Sequence, residues 1–274
     1  MSGTPPLVAS GVGFSYGERV VLRGMDLEAG LGEMVGLVGP NGSGKTTFLR
    51  IVSGTLASDT GTVRVAGKEL TSLRASERGR MVGMVQQSPA IPQGLTALQT
   101  VLMGRNPHLG LLQWEGPRDI EICKRVMTMT ETWEFAHRPV SSLSGGELQR
   151  IFIARALAQE TPVLILDEPT AHLDISYQTG IFDMIDKVRR STDLTVLVAM
   201  HDLTLAAQYC DRIAALHQGG IFACGEPSEV MTMEIVSTVF GASVSIVEHP
   251  VDGTPVVLPV RGTPGEGRDQ DVDH

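Results

Sequence analysis

The spacing of hydrophobic positions changes character along the chain, and each change marks a different kind of element. Residues 7–30 alternate short β-rich runs, such as Val20-Val21-Leu22 and Met25-Asp26-Leu27-Glu28, with turns at Gly17, Gly24 and Gly30. That pattern predicts a small antiparallel sheet laid beside the core. An apolar run, Met34-Val35-Gly36-Leu37-Val38, then meets a glycine-rich stretch and a second apolar run, Phe48 to Val52, which reads as strand, loop and helix. Thr62 to Ala66, closed by Gly67-Lys68, and Arg80 to Val85, ending at Gln86-Gln87, read as further strands.

Between residues 95 and 159 the period becomes helical. Leu95, Leu98, Val101 and Leu102 share one face, and a break follows at Gly104 to Pro107. Residues 121–133 and 147–159 read as two more helices, so this block is an α-helical insertion between β-rich flanks. Val163-Leu164-Ile165-Leu166 shows no alternation, the mark of a strand buried on both faces. A helix over 177–190, a strand over 194–200 and a late helix opened by Pro227 complete the pattern. Strands alternating with helices imply an α/β fold with a mostly parallel sheet and ligands at its C-terminal strand ends. Gly262 to His274, polar and rich in Gly and Asp, read as a disordered tail.

Composition narrows the function classes. A net charge of −9 argues against a general nucleic-acid binder, and 42% hydrophobic residues suit a globular protein. No apolar run approaches the ~20 residues of a membrane-spanning helix. Met1 to Pro6 lack the basic and apolar regions of a signal peptide. Cys123, Cys210 and Cys224, odd in number and without metal-ligand spacing, are read as reduced packing residues of a cytosolic protein.

The chemistry concentrates in Gly39-Pro40-Asn41-Gly42-Ser43-Gly44-Lys45-Thr46-Thr47, which fits G-x-x-x-x-G-K-[ST] between a strand and a helix. Its glycines let backbone N–H groups curl around phosphate oxygens, helped by the positive end of the helix dipole. Lys45 offers a point charge to the β- and γ-phosphates, and the Thr46 hydroxyl offers a Mg²⁺ ligand. Asp167 and Glu168 end the buried strand, where one carboxylate can hold Mg²⁺ and the next can take a proton from water. Ser144 with Glu147 forms a capping box, and Gly145 and Gly146 at the same helix start also suit an anion site. His201 and Gln87 each follow a strand, where the amide of Gln87 can orient water or complete a Mg²⁺ shell. Tyr16 reads either as an adenine platform or as a turn aromatic.

Together these residues resemble the ATP-binding subunit of an ABC transporter, over roughly residues 7–260. Residues 39–46 resemble Walker A, and Val163 to Glu168 resemble Walker B. Leu143 to Glu147 resemble the signature, with Glu where Gln is commoner. Gln87 falls in the Q-loop, Ala171-His172-Leu173-Asp174 in the D-loop, His201 at the switch histidine and Tyr16 at the adenine-stacking position. No Asn-Lys-x-Asp guanine-reading segment is present, which disfavours a GTPase. The resemblance implies a P-loop NTPase core over residues 1–260 with an N-terminal antiparallel β subdomain, an inserted helical subdomain at about 90–158 and a tail at 261–274. It implies ATP and Mg²⁺ as cofactors. Two copies would pair head to tail, with Ser144, Gly145 and Gly146 of one capping ATP on the other and Asp174 linking the sites. Expected partners are transmembrane permease subunits and, indirectly, an extracytoplasmic substrate-binding protein, with no nucleic acid. The expected location is peripheral, at the cytoplasmic face of the membrane.

Gly94-Leu95-Thr96 leading to Gly104 through His108, and His249-Pro250-Val251 through Gly253-Thr254-Pro255, resemble importers of iron–siderophore, haem or cobalamin. The surface after Gln87 is then expected to receive a permease coupling helix. An exporter cassette and a soluble ABC protein acting on ribosomes or DNA are the competing readings. One P-loop and one signature in a single chain favour the multi-subunit transporter.

Overall fold

The computed structural model describes residues 4–87, 89–110, 113–171 and 173–261. Ser88, His172 of the D-loop and the expected tail from residue 262 onward lie outside them.

The chain opens with two long strands, β1 (Leu7–Tyr16) and β2 (Arg19–Ala29), rather than the short runs expected from the pattern. Register shifts between Ala9 and Val12, Val12 and Gly13, and Phe14 and Ser15 explain the difference. Each β-bulge inserts a residue and breaks the period of two without ending the strand. Next come β3 (Met34–Val38), α1 (Lys45–Val52), β4 (Thr60–Val65) and β5 (Lys68–Glu69). β2, β1, β4 and β5 form an antiparallel sheet in that order. The chain continues through α2 (Ala75–Gly79) and β6 (Val82–Val85), then the helices α3 (Ala97–Leu102), α4 (Pro117–Met129) and α5 (Gly145–Leu157).

After the helices come β7 (Val163–Asp167), α6 (Ile175–Thr192), β8 (Thr195–Ala199), α7 (Leu203–Tyr209), β9 (Arg212–His217) and β10 (Gly220–Gly225). The central sheet runs β10-β9-β3-β8-β7-β6, with parallel pairs throughout except for antiparallel β10. Every residue of β3, β7 and β8 is buried, as the unalternating apolar runs require. One apolar cluster packs α5, α6 and α7 against one face, and a second joins α1 and the antiparallel sheet to the other.

Boundaries moved where local chemistry set them. The helix expected at 121–133 starts at Pro117, where Asp119 returns a bond to Gly116 N at 3.0 Å. It stops at Met129 because the Thr130 hydroxyl bonds back to Val126 O and Glu131 takes φ 57°. The expected break at Gly104 to Pro107 is instead a 3₁₀ helix, Met103–His108. The late helix divides into a single turn, α8 (Pro227–Val230), and α9 (Met233–Phe240), recapped by Thr232. A hairpin, β11 (Val244–Glu248) and β12 (Pro255–Pro259), ends the described chain, and residues 249–254 form its turn. Cys123 and Cys210 are buried as packing residues, but Cys224 is exposed on β10, which corrects the reading of all three as packing groups. It lies toward the rim of the sheet, with its Sγ 3.4 Å from Arg212 Nη2.

α3, α4 and α5 share an apolar cluster of their own, centred on Val101, Met127 and Ile151. The 3₁₀ helix is bolted to it by Arg105, which is 4% exposed. Its guanidinium donates to Asp119 and Glu160, both at 2.9 Å, and to Ala158 O at 2.7 Å. Removing the buried guanidinium leaves Ala158 O and Asp119, 14% exposed, without their donor, while Glu160, 37% exposed, keeps solvent and Arg125. Arg105→Ala is therefore expected to lower unfolding free energy by about 2–4 kcal/mol, read as a shifted urea midpoint.

Candidate functional site

A cavity of about 1000 Å³ opens beside the first turn of α1. Residues 40–47 line it together with Tyr16, Gln87, Glu168 and His201, which the chain delivers from separate elements. The P-loop is held from below. Gly39 has φ 153°, and a Cβ there would lie 2.5 Å from Leu216 O of β9, so only glycine fits. Gly44 caps α1 in a left-handed conformation and offers no side-chain bond, leaving the N–H groups of the first helical turn free of a side-chain cap.

Lys45 is buried and bonds Gly39 O at 2.8 Å and Pro40 O at 3.3 Å. Burial lowers its pKa from the usual lysine value, against the opposing pull of Glu168 and Asp167. Thr46 Oγ1 donates to Asp167 Oδ1 at 3.2 Å. Burial raises the Asp167 pKa, the Thr46 bond lowers it and the neighbouring Glu168 charge raises it further. Ser43 Oγ is buried with no hydrogen-bond partner among the described residues. An orphaned hydroxyl, a carboxylate short of positive charge and a lysine at a helix N-terminus fit a triphosphate with its cation.

Glu168 stands just past β7 with φ 51°, a conformation costly for any residue with a Cβ. The Gln87 amide and His201 Nε2 both engage its carboxylate. Gln87, expected to orient water or complete a Mg²⁺ shell, and His201, expected at the switch position, are here both turned onto the glutamate. Tyr16 is half exposed at the cavity mouth and meets Phe14 edge to face, with 4.8 Å between ring centroids.

Ser144, Gly145, Gly146 and Asp174 do not line this cavity. Ser144 N donates to Glu147 Oε2 at 2.7 Å, and Ser144 Oγ accepts from Glu147 N at 3.4 Å, completing the expected capping box. Arg19, Arg23, His217 and Gln218 do line it, although the sequence reading passed over them. Arg19 was accessible in principle, since it faces Tyr16 across a tight hairpin. His217 and Gln218 carried no such signal, because only the β3–β9 pairing brings them to the P-loop.

A family model described as ABC transporter matches residues 22–171, more than half of the chain. The chain belongs to the ABC transporter family. It is 36% identical to the petrobactin import ATP-binding protein of Bacillus anthracis, over 89% of this chain and 90% of that one. It is 40% identical to the hemin import ATP-binding protein of Thermobifida fusca, over 95% and 90%. A metal-chelate type ABC transporter solved in an inward-facing conformation superposes with TM-score 0.83 at 23% identity, over 94% of this chain and 98% of that one. A dimeric bacterial ABC transporter cassette superposes with TM-score 0.71 at 29% identity, over 80% and 98%. This ABC cassette is an ATPase subunit.

The raised Asp167 pKa has a stability consequence. A carboxylate whose folded pKa is raised disfavours the fold above its unfolded pKa, and the penalty disappears as pH falls below that value. At neutral pH without nucleotide, Asp167→Asn is therefore expected to raise Tm by roughly 1–4 °C. The same variant should lose Mg²⁺-dependent ATP hydrolysis. A scanning-fluorimetry melt lower than wild type would refute the burial argument.

Proposed function

We propose that this cassette drives import of a metal chelate, of the iron–siderophore, haem or cobalamin class, as a head-to-tail pair beneath separate membrane-spanning subunits. The functions for which its relatives are named, petrobactin import and hemin import, support the direction and class of cargo. No described helix is long and apolar enough to cross a membrane. The relatives' names as import ATP-binding proteins support leaving the translocation path to partner chains. We place the cassette at the cytoplasmic face, where ATP is available.

One observation carries the mechanism: the signature residues Ser144, Gly145 and Gly146 lie outside the cavity that residues 40–47, Tyr16, Gln87, Glu168 and His201 line. Lys45 and the N–H groups of residues 42–47 neutralise phosphate charge along one side of ATP. Ser144, Gly145 and Gly146 of a second copy close the other side, with their own helix N-terminus. Tyr16 supports the adenine ring. Thr46, Asp167 and Gln87 would hold Mg²⁺, whose chemistry is to draw negative charge from the phosphate oxygens. Glu168 takes the proton from the attacking water. His201 first orients the Glu168 carboxylate and then faces the γ-phosphate, and Asp174 links the paired sites. Closure on ATP and opening after hydrolysis form a two-state element that the permease reads.

Glu168→Gln tests the base and the pairing together. The variant should bind Mg-ATP, dimerise by light scattering and lose at least about 100-fold in kcat, as expected when general-base catalysis is removed. Hydrolysis at the wild-type rate would sink the assignment. Uptake of ferric siderophore, haem or cobalamin into vesicles holding the co-purified permease reads the cargo class. Export from the same vesicles would overturn the import reading.

A further inference from the structure

Gly146 sits against an aromatic ring of its own chain. A Cβ built there would lie 2.5 Å from Tyr177 Cδ1 and 2.8 Å from Cε1, closer than carbon atoms approach. Tyr177 belongs to the first turn of α6, where its N–H bonds Asp174 O at 2.9 Å. Contacts on either side join α5 to the segment that enters α6 and to α6 itself. Leu173 Cδ2 lies 3.7 Å from the Cβ position of Gly145, and Arg150 Nη2 lies 3.2 Å from that of Gly180. The start of the signature helix therefore rests on the segment that follows Glu168 and carries Asp174. Tyr177 is 45% exposed and its hydroxyl makes no hydrogen bond among the described residues, so the ring acts through shape.

The nucleotide chemistry offers a different reason for glycine at 146, the close approach of a phosphate from the second copy. That reason concerns the partner's ligand. The contact with Tyr177 exists within one chain, before any pairing.

We propose that Tyr177 is a positioning residue, whose ring locks the signature turn to the Asp174 segment and makes Gly146 obligatory. Both surfaces that one copy offers the other then move as a single body. Swinging the ring outward would admit a side chain at 146 only by giving up that lock. The proposal rests on the reading that residues 144–146 close the second copy's nucleotide site.

Four variants separate the two reasons for glycine: Gly146→Ala, Tyr177→Ala, Tyr177→Phe and the double variant Gly146→Ala with Tyr177→Ala. Each is melted without nucleotide and assayed for ATPase. Gly146→Ala should lower Tm by about 2–6 °C through overpacking. It should also lose at least about tenfold in kcat, with ATP affinity of the single chain unchanged. Tyr177→Ala should lose about threefold to tenfold in kcat at constant KM, because the ring does not touch its own chain's cavity. Tyr177→Phe should match wild type.

The double variant should melt within about 1 °C of Tyr177→Ala and turn over at least about threefold faster than Gly146→Ala, a coupling expected only of residues in contact. A double variant as impaired as Gly146→Ala in both readouts overturns the proposal. So does recovery of Tm without recovery of kcat, or an unchanged kcat in Tyr177→Ala. A wild type that fails to hydrolyse ATP removes the sandwich reading instead, and the melts alone then decide whether the ring sets residue 146.

Discussion

One backbone ladder fixes where the chemistry can happen. Leu37 of β3 and Asp167 of β7 both pair with Ala199 of β8, and Val85 of β6 pairs with Leu166. These registers end neighbouring parallel strands at one level. Gly39, Glu168, His201 and Gln87, each within a few residues of its strand's last pair, therefore emerge along a single edge. Met200 N donates to Leu37 O at 3.0 Å and Glu168 N to Ala199 O at 3.2 Å, extending the ladder into the site itself. A slip of one residue in any of these strands would turn its buried side chains to the wrong face and carry its site residue out of reach.

What stands at that edge is held against its own solvation. Lys45 and Asp167 are both buried, with pKa values moved toward their neutral forms. Their mutual attraction does not offset the desolvation, and Ser43 Oγ is left without a partner. Groups that are uncomfortable alone would become satisfied if a phosphate and a divalent cation supplied the missing charge and acceptors. The positive φ of Glu168 belongs to the same account. Strain here persists because the ladder on either side over-determines the backbone.

The sequence made the site more legible than the fold around it. A P-loop is local, so its residues and its strand and helix stand together in the text of the chain. Asp167, Glu168, Gln87 and His201 were readable because each ends an apolar run, and a parallel sheet collects such ends on one side. Bulges hid the length of β1 and β2 by breaking alternation. The Arg105 network joins residues 105, 119 and 160, and nothing in the local pattern marks an arginine as buried. Cys224 escaped for the converse reason, since a small apolar residue on an edge strand looks like any core residue. Ser144 with Glu147 shows that a correct structural reading and a functional one can describe the same residues.

The helical block is held in two physically different ways. Near its 3₁₀ helix, buried charge holds it: Arg105 reaches Asp119, Glu160 and a carbonyl, and His108 adds a bond to Gln159 O at 2.7 Å. At its signature end, the α5–α6 contacts are shape contacts, among them a ring edge against glycine and an arginine head against a second glycine. An ion pair inside a protein is costly to break because of the charge left behind, whereas a ring packed on a glycine is disrupted by anything that overfills the space between them. Ring and glycine leave no room for a Cβ, so the signature turn is seated on the Asp174 segment by fit rather than by charge. Charge keeps the 3₁₀ end of the block in one piece, and shape joins its signature end to the start of α6. A displacement at one end would then be carried to the other as movement of a single body.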